Sequence, residues 1–221
     1  MSPLNYLEYF LGRLLSSNRG RDSKLWTNTS AFADTPQTIT VTCPDIGPSN
    51  SVMPLDYSAY GTSRFPTLTW TVAPPSDTAA AAVNESDIKE YIVLIEDPDA
   101  PLPLVPNHGL FYAIPGTKTT ITADDIVLDT NANKGASSAG AKYLRGGFRL
   151  GKNLRGSIYG APRPPLGHGP HRYFYQVVAL NAKLDVDKMK PVATKAELED
   201  AIKGKVVGYG AWIGIFERKW E

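Results

Sequence analysis

Two short segments of the chain combine carboxylates, imidazoles and rigid backbone. Residues 97–101 read Asp-Pro-Asp-Ala-Pro and are followed by His108, and residues 159–173 contain the other two histidines of the protein. Proline fixes its own φ and holds the preceding residue extended, so loops of this kind can place polar groups at fixed positions. Asp97 and Asp99 are two residues apart, and continued strand geometry would point both carboxylates to one side. The pattern indicates a binding or acid–base site. The alternative is that the two aspartates form turns and the histidines are ordinary loop residues.

Short β-rich segments separated by Pro, Gly, Asn and Asp must position these groups. The composition predicts strands at 38–42, 67–72, 91–96, 110–114, 173–180 and 211–218. The first site segment directly follows one strand, and the second directly precedes another. Two short helices are also predicted, one beginning near Thr122–Asp125 and one from the capping box at Thr194 to about Lys203. We therefore expect a mainly antiparallel β architecture with few helices.

The first 21 residues differ in character from the rest. Leu4, Leu7, Leu11, Leu14 and Leu15 fall on one helical face, which predicts an amphipathic helix over residues 3–15. Residues 16–21 would form a joint, and residues 22–221 a single domain. We expect the helix to pack on that domain. Docking on a membrane or on a partner is the alternative.

Charge is distributed unevenly along a chain whose net charge is only +1. From Thr130 to Leu184 there is no Asp or Glu, although this stretch contains nine Lys and Arg residues. Residues 131–155 of this stretch read as a Gly-rich basic insertion, with 131–151 forming a long loop. Such asymmetry indicates an anionic partner, unless the positive charge only keeps a surface loop soluble.

The overall composition excludes several classes of protein. With 42% hydrophobic and 20% charged residues, the chain is neither disordered nor collagen-like. It has no apolar run approaching the roughly 20 residues that span a bilayer. The single cysteine, Cys43, forms no internal disulfide and is expected to be buried, and a cytoplasmic location fits best.

Three motifs are similar to those of the phosphatidylethanolamine-binding protein (PEBP) family, which includes Raf kinase inhibitor protein, plant flowering-time proteins and yeast carboxypeptidase Y inhibitor. They are Asp-Pro-Asp-Ala-Pro at 97–101 followed by a histidine, Gly-His-Gly-Pro-His-Arg-Tyr at 167–173, and Pro-x-Leu-x-Trp at 66–70. The resemblance extends from about Thr38 to Arg218, and the Pro-rich sequence of 164–173 is especially similar to bacterial members. It implies a PEBP-like antiparallel β-sandwich with a few short peripheral helices and a small anion-binding pocket.

The resemblance also implies roles for individual residues. The ligand-binding positions would be Asp97, Asp99, His108, His171 and Tyr173. The pocket loop would be formed by Pro164, Pro165, Gly167, His168 and Gly169. Arg172 follows His171 into a strand and should therefore face away from it, bracing the loops through a carboxylate. Imidazole N–H groups would donate to phosphate oxygens.

The expected function is that of a non-enzymatic binding protein for phosphate or a phospholipid headgroup such as phosphorylethanolamine. It would need no cofactor, metal or catalytic residue, and it could inhibit or regulate a protease or kinase, with peripheral membrane contact. One alternative is a metal-dependent or acid–base hydrolase that uses Asp97, Asp99, His108 and His171. Another is nucleic-acid binding, in which Tyr143, Phe148 and Tyr159 of the basic stretch at 131–184 would stack on bases.

Overall fold

Two packed β-sheets form the body of the protein in a computed structural model that describes residues 2–73, 83–134 and 140–220. The smaller sheet has the order β1-β3-β6, with strands Ile39–Thr42, Leu68–Val72 and Thr120–Ile121. The larger sheet has the order β2-β9-β8-β4-β5-β7, with strands Ser51–Val52, Val206–Phe216, His171–Leu180, Glu90–Glu96, Asn107–Pro115 and Arg149–Leu150. All pairings are antiparallel within these residues except that of β2 with β9. The six predicted strands are confirmed, and their bounds shift by a few residues.

The main core lies between the two sheets. Trp70 of the small sheet packs edge-on against Tyr91 of β4, and Tyr175 and Trp212 pack against each other on β8 and β9. In β1, buried and exposed residues alternate, which is typical of a strand with one wet face. The sandwich expected from the sequence is therefore present.

A second apolar layer covers the outer face of the large sheet. Trp26 and Phe32, from a run of short 3₁₀ turns, pack there together with Leu198 and Ile202 near helix α2 (Lys195–Ala201). Because both faces of the sheet are covered, every residue of β4 is buried. Such a strand reads as a continuous apolar run without alternation.

One of the two predicted short helices is present and the other is not. α2 begins at the predicted capping box, in which the Thr194 hydroxyl accepts from the Glu197 backbone and the Glu197 carboxylate accepts from Thr194. The prediction near Thr122 is wrong, because the chain forms only turns there. The Asp125 carboxylate accepts from both the backbone N–H and the hydroxyl of Thr122, which closes a local turn instead of a helix.

Helix α1 (Pro3–Leu15) has the predicted bounds but an unexpected orientation. It contacts the rest of the protein through Glu8, Tyr9 and Gly12, whereas its leucine-rich face is exposed. The helix thus packs on the domain, but through these three residues and not through its leucines. The segment that follows, predicted as a joint, is held by hydrogen bonds from the Gly20 and Arg21 backbone to Asp99 and Pro98.

The basic segment 131–155 is more ordered than the predicted loop, apart from residues 135–139, which lie outside the described residues. Leu144, Phe148 and Leu150 are buried in the main core, and β7 pairs with β5. Its charged residues are exposed, except for Arg149, which is partly buried and donates to the Tyr143 hydroxyl. Cys43 is buried, as predicted, and burial raises the pKa of its thiol to about 11.

Among the described residues, none of the helices has both the length and the apolar character needed to cross a bilayer.

Candidate functional site

Three strand ends bring the predicted site residues to one edge of the large sheet. Asp97 directly follows β4, His108 lies near the beginning of β5 and His171 begins β8. Since β4 is antiparallel to both neighbours, its last residue, Glu96, is paired with Asn107 on one side and Phe174 on the other. The topology therefore places one carboxylate between two imidazoles.

His108 presents its Nε2 atom to the pocket. Its Nδ1 atom lies 2.7 Å from the Gly160 carbonyl oxygen, which can only accept, so Nδ1 carries a proton and donates. Nε2 lies 3.9 Å from Asp97 Oδ2. Burial lowers the pKa of His108, and the nearby Asp97 carboxylate opposes that shift. In neutral His108, Nε2 is therefore an acceptor, and it becomes a donor only when the ring is protonated.

A chain of hydrogen bonds connects the pocket to α1. His168 Nε2 lies 2.9 Å from the Leu15 carbonyl oxygen and must donate to it, since a carbonyl only accepts. Burial, and next the neighbouring His171, lowers the pKa of His168, which favours the neutral ring. The Nδ1 atom of neutral His168 then accepts from His171 Nε2 at 2.7 Å. His171 Nδ1 lies 2.8 Å from Asp97 Oδ2 at the other end of the chain.

These hydrogen bonds occupy both ring nitrogens of His171. The expectation that N–H groups of this histidine donate directly to a ligand does not match its geometry, although the residue is among those that line the pocket. His171 instead holds Asp97 in place. Of the three histidines, His108 is thus the one with a nitrogen directed to the pocket and free of a protein hydrogen bond.

Asp99 does not share the pocket with Asp97. Its backbone N–H donates to Asp97, while its carboxylate turns to Arg172, which also binds Asp22 on the segment after α1. Burial would raise the pKa of Asp99, but hydrogen bonds from Arg172 and the Gly20 N–H outweigh it and hold the pKa below its usual value. The prediction that the Asp97 and Asp99 carboxylates point to the same side was wrong, because the chain turns at Pro98. Arg172 lies on the side of β8 opposite His171 and contacts carboxylates.

The other residues predicted for the site, Tyr173 and the pocket loop, pack around the pocket. The Tyr173 ring packs edge-on against His108, with centroids 5.2 Å apart. Within the predicted pocket loop, Pro165 lines the pocket, and the Pro164 carbonyl accepts from Tyr60. The two glycines turn toward the N-terminal segment.

Gly167 and Gly169 have φ values of +79° and +95°, which favour glycine. A Cβ on Gly167 would contact the ring of Tyr9, and one on Gly169 would contact the guanidinium group of Arg19. The pocket loop and the N-terminal segment are therefore packed closely together.

The pocket itself is small and has a charged base with an apolar wall. Its volume is about 190 Å³, below the roughly 300–1,000 Å³ of sites for drug-sized ligands. Asp97, His108 and His171 form the polar base, and the wall includes Pro101, Leu102, Pro106 and Leu154.

Two arginines that sequence reasoning did not assign to the site, Arg155 and Arg163, line the pocket and are exposed. Both belong to the acid-free basic stretch, and this charge pattern is the feature of the sequence that could have indicated them. Asn153 holds the loop that carries Arg155, because its side chain bonds both Ser157 and the Arg155 N–H.

Neither set of residues named in the two alternative functions is brought together as a whole. No group of three or more His, Cys, Asp or Glu side chains within the described part of the chain is arranged to hold a metal ion. The suggested ligand set separates because Asp99 faces Arg172. Of the aromatic residues proposed to stack on bases, Phe148 is buried in the core and the Tyr159 hydroxyl bonds that of Tyr175.

Comparisons with known proteins place the chain in one family. Residues 43–217 match the model of the phosphatidylethanolamine-binding protein family. The chain is 44% identical over 218 residues to Phomoidride biosynthesis cluster protein B of Talaromyces stipitatus, covering 98% of this chain and 83% of that protein.

Two solved structures share the fold. The structure of E. coli YBCL, described as a new member of the mammalian PEBP family, has a TM-score of 0.60 at 22% identity, covering 82% of this chain and 99% of that chain. Carboxypeptidase Y inhibitor, solved in complex with its cognate proteinase, has a TM-score of 0.50 at 13% identity, covering 99% of this chain and 97% of that chain. The chain belongs to the phosphatidylethanolamine-binding protein family.

Proposed function

We propose that the protein is a non-enzymatic binding protein whose pocket takes the phosphate or carboxylate group of a small organic anion. The observation that carries the proposal is the convergence of the His108 Nε2 atom and the exposed Arg155 and Arg163 on one small pocket. Guanidinium groups bind carboxylates and phosphates through paired N–H donors. A protonated imidazole adds a third donor directed to the same space.

The pocket wall indicates what else the ligand contains. Leu102, Leu154 and two prolines offer apolar contact next to the arginines, and the volume admits a headgroup-sized molecule. Asp97 at the base can accept from an ammonium or hydroxyl group. Phosphorylethanolamine, as the family resemblance implies, meets these requirements. Similarity to a protein named for a biosynthesis cluster also supports a small metabolite as the bound anion.

Isothermal titration of the full chain with inorganic phosphate, phosphorylethanolamine and acetate tests the proposal. With so few contacts, we expect a Kd on the order of 1 mM for the free headgroup. Arg155→Met/Arg163→Met should weaken binding by about tenfold or more, which corresponds to one lost charged hydrogen bond. The matched control, Lys142→Met/Lys183→Met, removes the same charge from the same basic stretch at exposed positions away from the pocket.

Two results would overturn this assignment. The first is equal binding by the wild type and the Arg155/Arg163 variant, and the second is the absence of binding to all three probes. Product formation from phosphorylethanolamine, followed by NMR over a day, would contradict the non-enzymatic part. Inhibition of a protease or kinase, which the family resemblance implies, is a separate property. It is tested by adding the protein to carboxypeptidase Y, whose known inhibitor shares the fold.

A further inference from the structure

The apolar face of α1 points away from the protein. Leu4, Leu7, Phe10, Leu11 and Leu14 lie along this face, and between 48% and 74% of each residue is exposed. Contiguous apolar surface of this kind is uncommon on soluble proteins and marks a site of association. We refer to these five residues as the leucine face.

Contacts on the opposite face fix this orientation. The Glu8 carboxylate accepts from Arg218 and from the Leu166 N–H. At Gly12, a Cβ would come within 2.2 Å of the Leu166 carbonyl oxygen, so the helix lies against the loop at that point. Rotating the leucine face inward would break the Glu8 ion pair. The outward direction is therefore built into the fold.

Charge around the helix favours an anionic partner. Glu8 is the only acidic residue among residues 1–21, and it is neutralised by Arg218 on the inner side. Arg13 and Arg19 are exposed. Within the helix, the half-exposed Tyr6 packs edge-on against Trp220, which is 36% exposed. Leucine, aromatic and basic residues in this arrangement are typical of helices that lie in a lipid–water interface.

The size of the leucine face argues against a second copy of the chain as the occupant. A helix of 13 residues is about 20 Å long and roughly 10 Å wide, so contact along it buries on the order of 200 Å² per partner. Stable protein interfaces bury about 800 Å² per partner. A bilayer needs no complementary surface, because the face only has to reach the boundary between headgroups and acyl chains.

We propose that α1 docks the protein on an anionic lipid surface, with the leucine face inserted and Arg13 and Arg19 at the headgroup level. This proposal does not depend on the ligand of the pocket. Since α1 is the element whose Leu15 carbonyl accepts from His168, the docked helix would hold the pocket loop close to the membrane.

Co-sedimentation of the full chain with vesicles tests the docking surface. The vesicles contain phosphatidylcholine with about 30 mol% phosphatidylserine, and pure phosphatidylcholine vesicles serve as the comparison. We expect binding to the anionic vesicles that weakens as NaCl rises from about 0.1 to about 0.5 M. Leu7→Glu/Leu14→Glu should lower partitioning more than about tenfold. The control Val52→Glu/Leu128→Glu adds the same charge at apolar residues that are 75% and 37% exposed elsewhere, and it should bind nearly as well as the wild type.

Four results would overturn the proposal. The first is a wild type that fails to sediment with anionic vesicles, and the second is an equal loss of binding in both double variants. Equal sedimentation with neutral vesicles would refute the anionic preference. Dimerisation of the wild type without lipid, lost in Leu7→Glu/Leu14→Glu, would identify a second copy as the occupant instead. A failed titration of the pocket ligands would leave the vesicle result unchanged, so the two proposals can be separated.

Discussion

The ring nitrogens of the three histidines have distinct tasks. Both ring nitrogens of His168 and of His171 bond protein partners, whereas His108 bonds the protein through Nδ1 only and directs Nε2 to the pocket. The groups that face His108 are Asp97, His171, Arg155 and the Gly160 carbonyl. Because burial holds the pKa of His108 below its usual value, this nitrogen is an acceptor at neutral pH. Protonation adds both a donor and a positive charge where an anion would bind.

Anion binding should therefore strengthen as the pH falls. We expect the affinity for phosphate analogues to rise between about pH 7.5 and about pH 5.5, as more of His108 becomes protonated. Methylphosphonate titrations at several pH values measure this, with its own ionisation subtracted. His108→Gln should bind with a much flatter pH profile, since glutamine does not titrate. A wild-type profile as flat as that of the variant would show that the ring does not take part in binding.

Arg172 illustrates a different use of charge at the residue scale. It is the main partner of Asp99, whose side chain is 4% exposed, and it also binds the exposed Asp22. Arg172→Met would leave the Asp99 carboxylate buried without its cation. We expect a loss of about 3 kcal/mol, the lower end of the range for broken buried pairs, because the arginine is partly exposed. Urea unfolding measures this loss.

The control for Arg172 is Lys188→Met, which breaks an ion pair between two exposed side chains. We expect a change below about 1 kcal/mol for that pair. If the two substitutions cost the same, the Arg172–Asp99 contact does not stabilise the fold.

At the scale of elements, α1 and the pocket loop form one packed unit. Gly12 lies against Leu166, and Gly167 lies against Tyr9. The Leu15 carbonyl accepts a hydrogen bond from the His168 ring. The helix is held through small and polar contacts, which keeps its leucine face free.

Adding bulk at Gly12 should separate α1 from the loop. In Gly12→Val, the new Cβ would overlap the Leu166 carbonyl, so the helix must move away. We expect faster tryptic cleavage at Arg13 and Arg19. Leu11→Val introduces the same β-branched side chain at the neighbouring exposed position and should be cut at the wild-type rate. Unchanged cleavage of Gly12→Val would mean that the contact at this position does not hold the helix.

The elements predicted from the sequence were those with a strong local signal. Alternation and β-branched residues predicted the long strands, and the capping box predicted the beginning of α2. The turn at Thr122 resembles a helix start in sequence, because an aspartate that bonds backbone N–H groups serves both purposes. The short strands β2, β6 and β7 have two residues each, too few to show a period.

The features of the site that could not be predicted from the sequence have a different physical origin. The family motifs identified Asp97, His108 and His171, which meet at one sheet edge. The turn at Pro98 sends Asp99 away from them, and no local rule gives that direction. Arg155 and Arg163 lie just before the second family motif, and no local pattern shows that their side chains reach the pocket. Likewise, periodicity showed that α1 is amphipathic, but only tertiary contacts of Glu8 and Gly12 decide which face is buried.

For the whole molecule, the positive charge lies where both proposals need it. The acid-free stretch from 130 to 184 supplies Arg155 and Arg163 to the pocket mouth, and also Arg172 to the bracing contact with Asp99. The arginines beside the leucine face come from the N-terminal segment. Pocket and helix thus use separate sets of cations and can be tested independently.

The buried histidines also couple the stability of the whole protein to pH. His108 and His168 have pKa values lowered by burial, so the unfolded chain binds more protons than the folded chain below about pH 6.5. Their contribution to stability is therefore present above that pH and is lost as the pH falls toward the folded pKa values. We expect the free energy of unfolding of the wild type to fall more between about pH 7 and about pH 5.5 than that of His108→Gln. Urea titrations of both proteins give this difference, in which the other titrating groups cancel. A wild type that loses no more stability than the variant would show that His108 is not held neutral in the folded pocket.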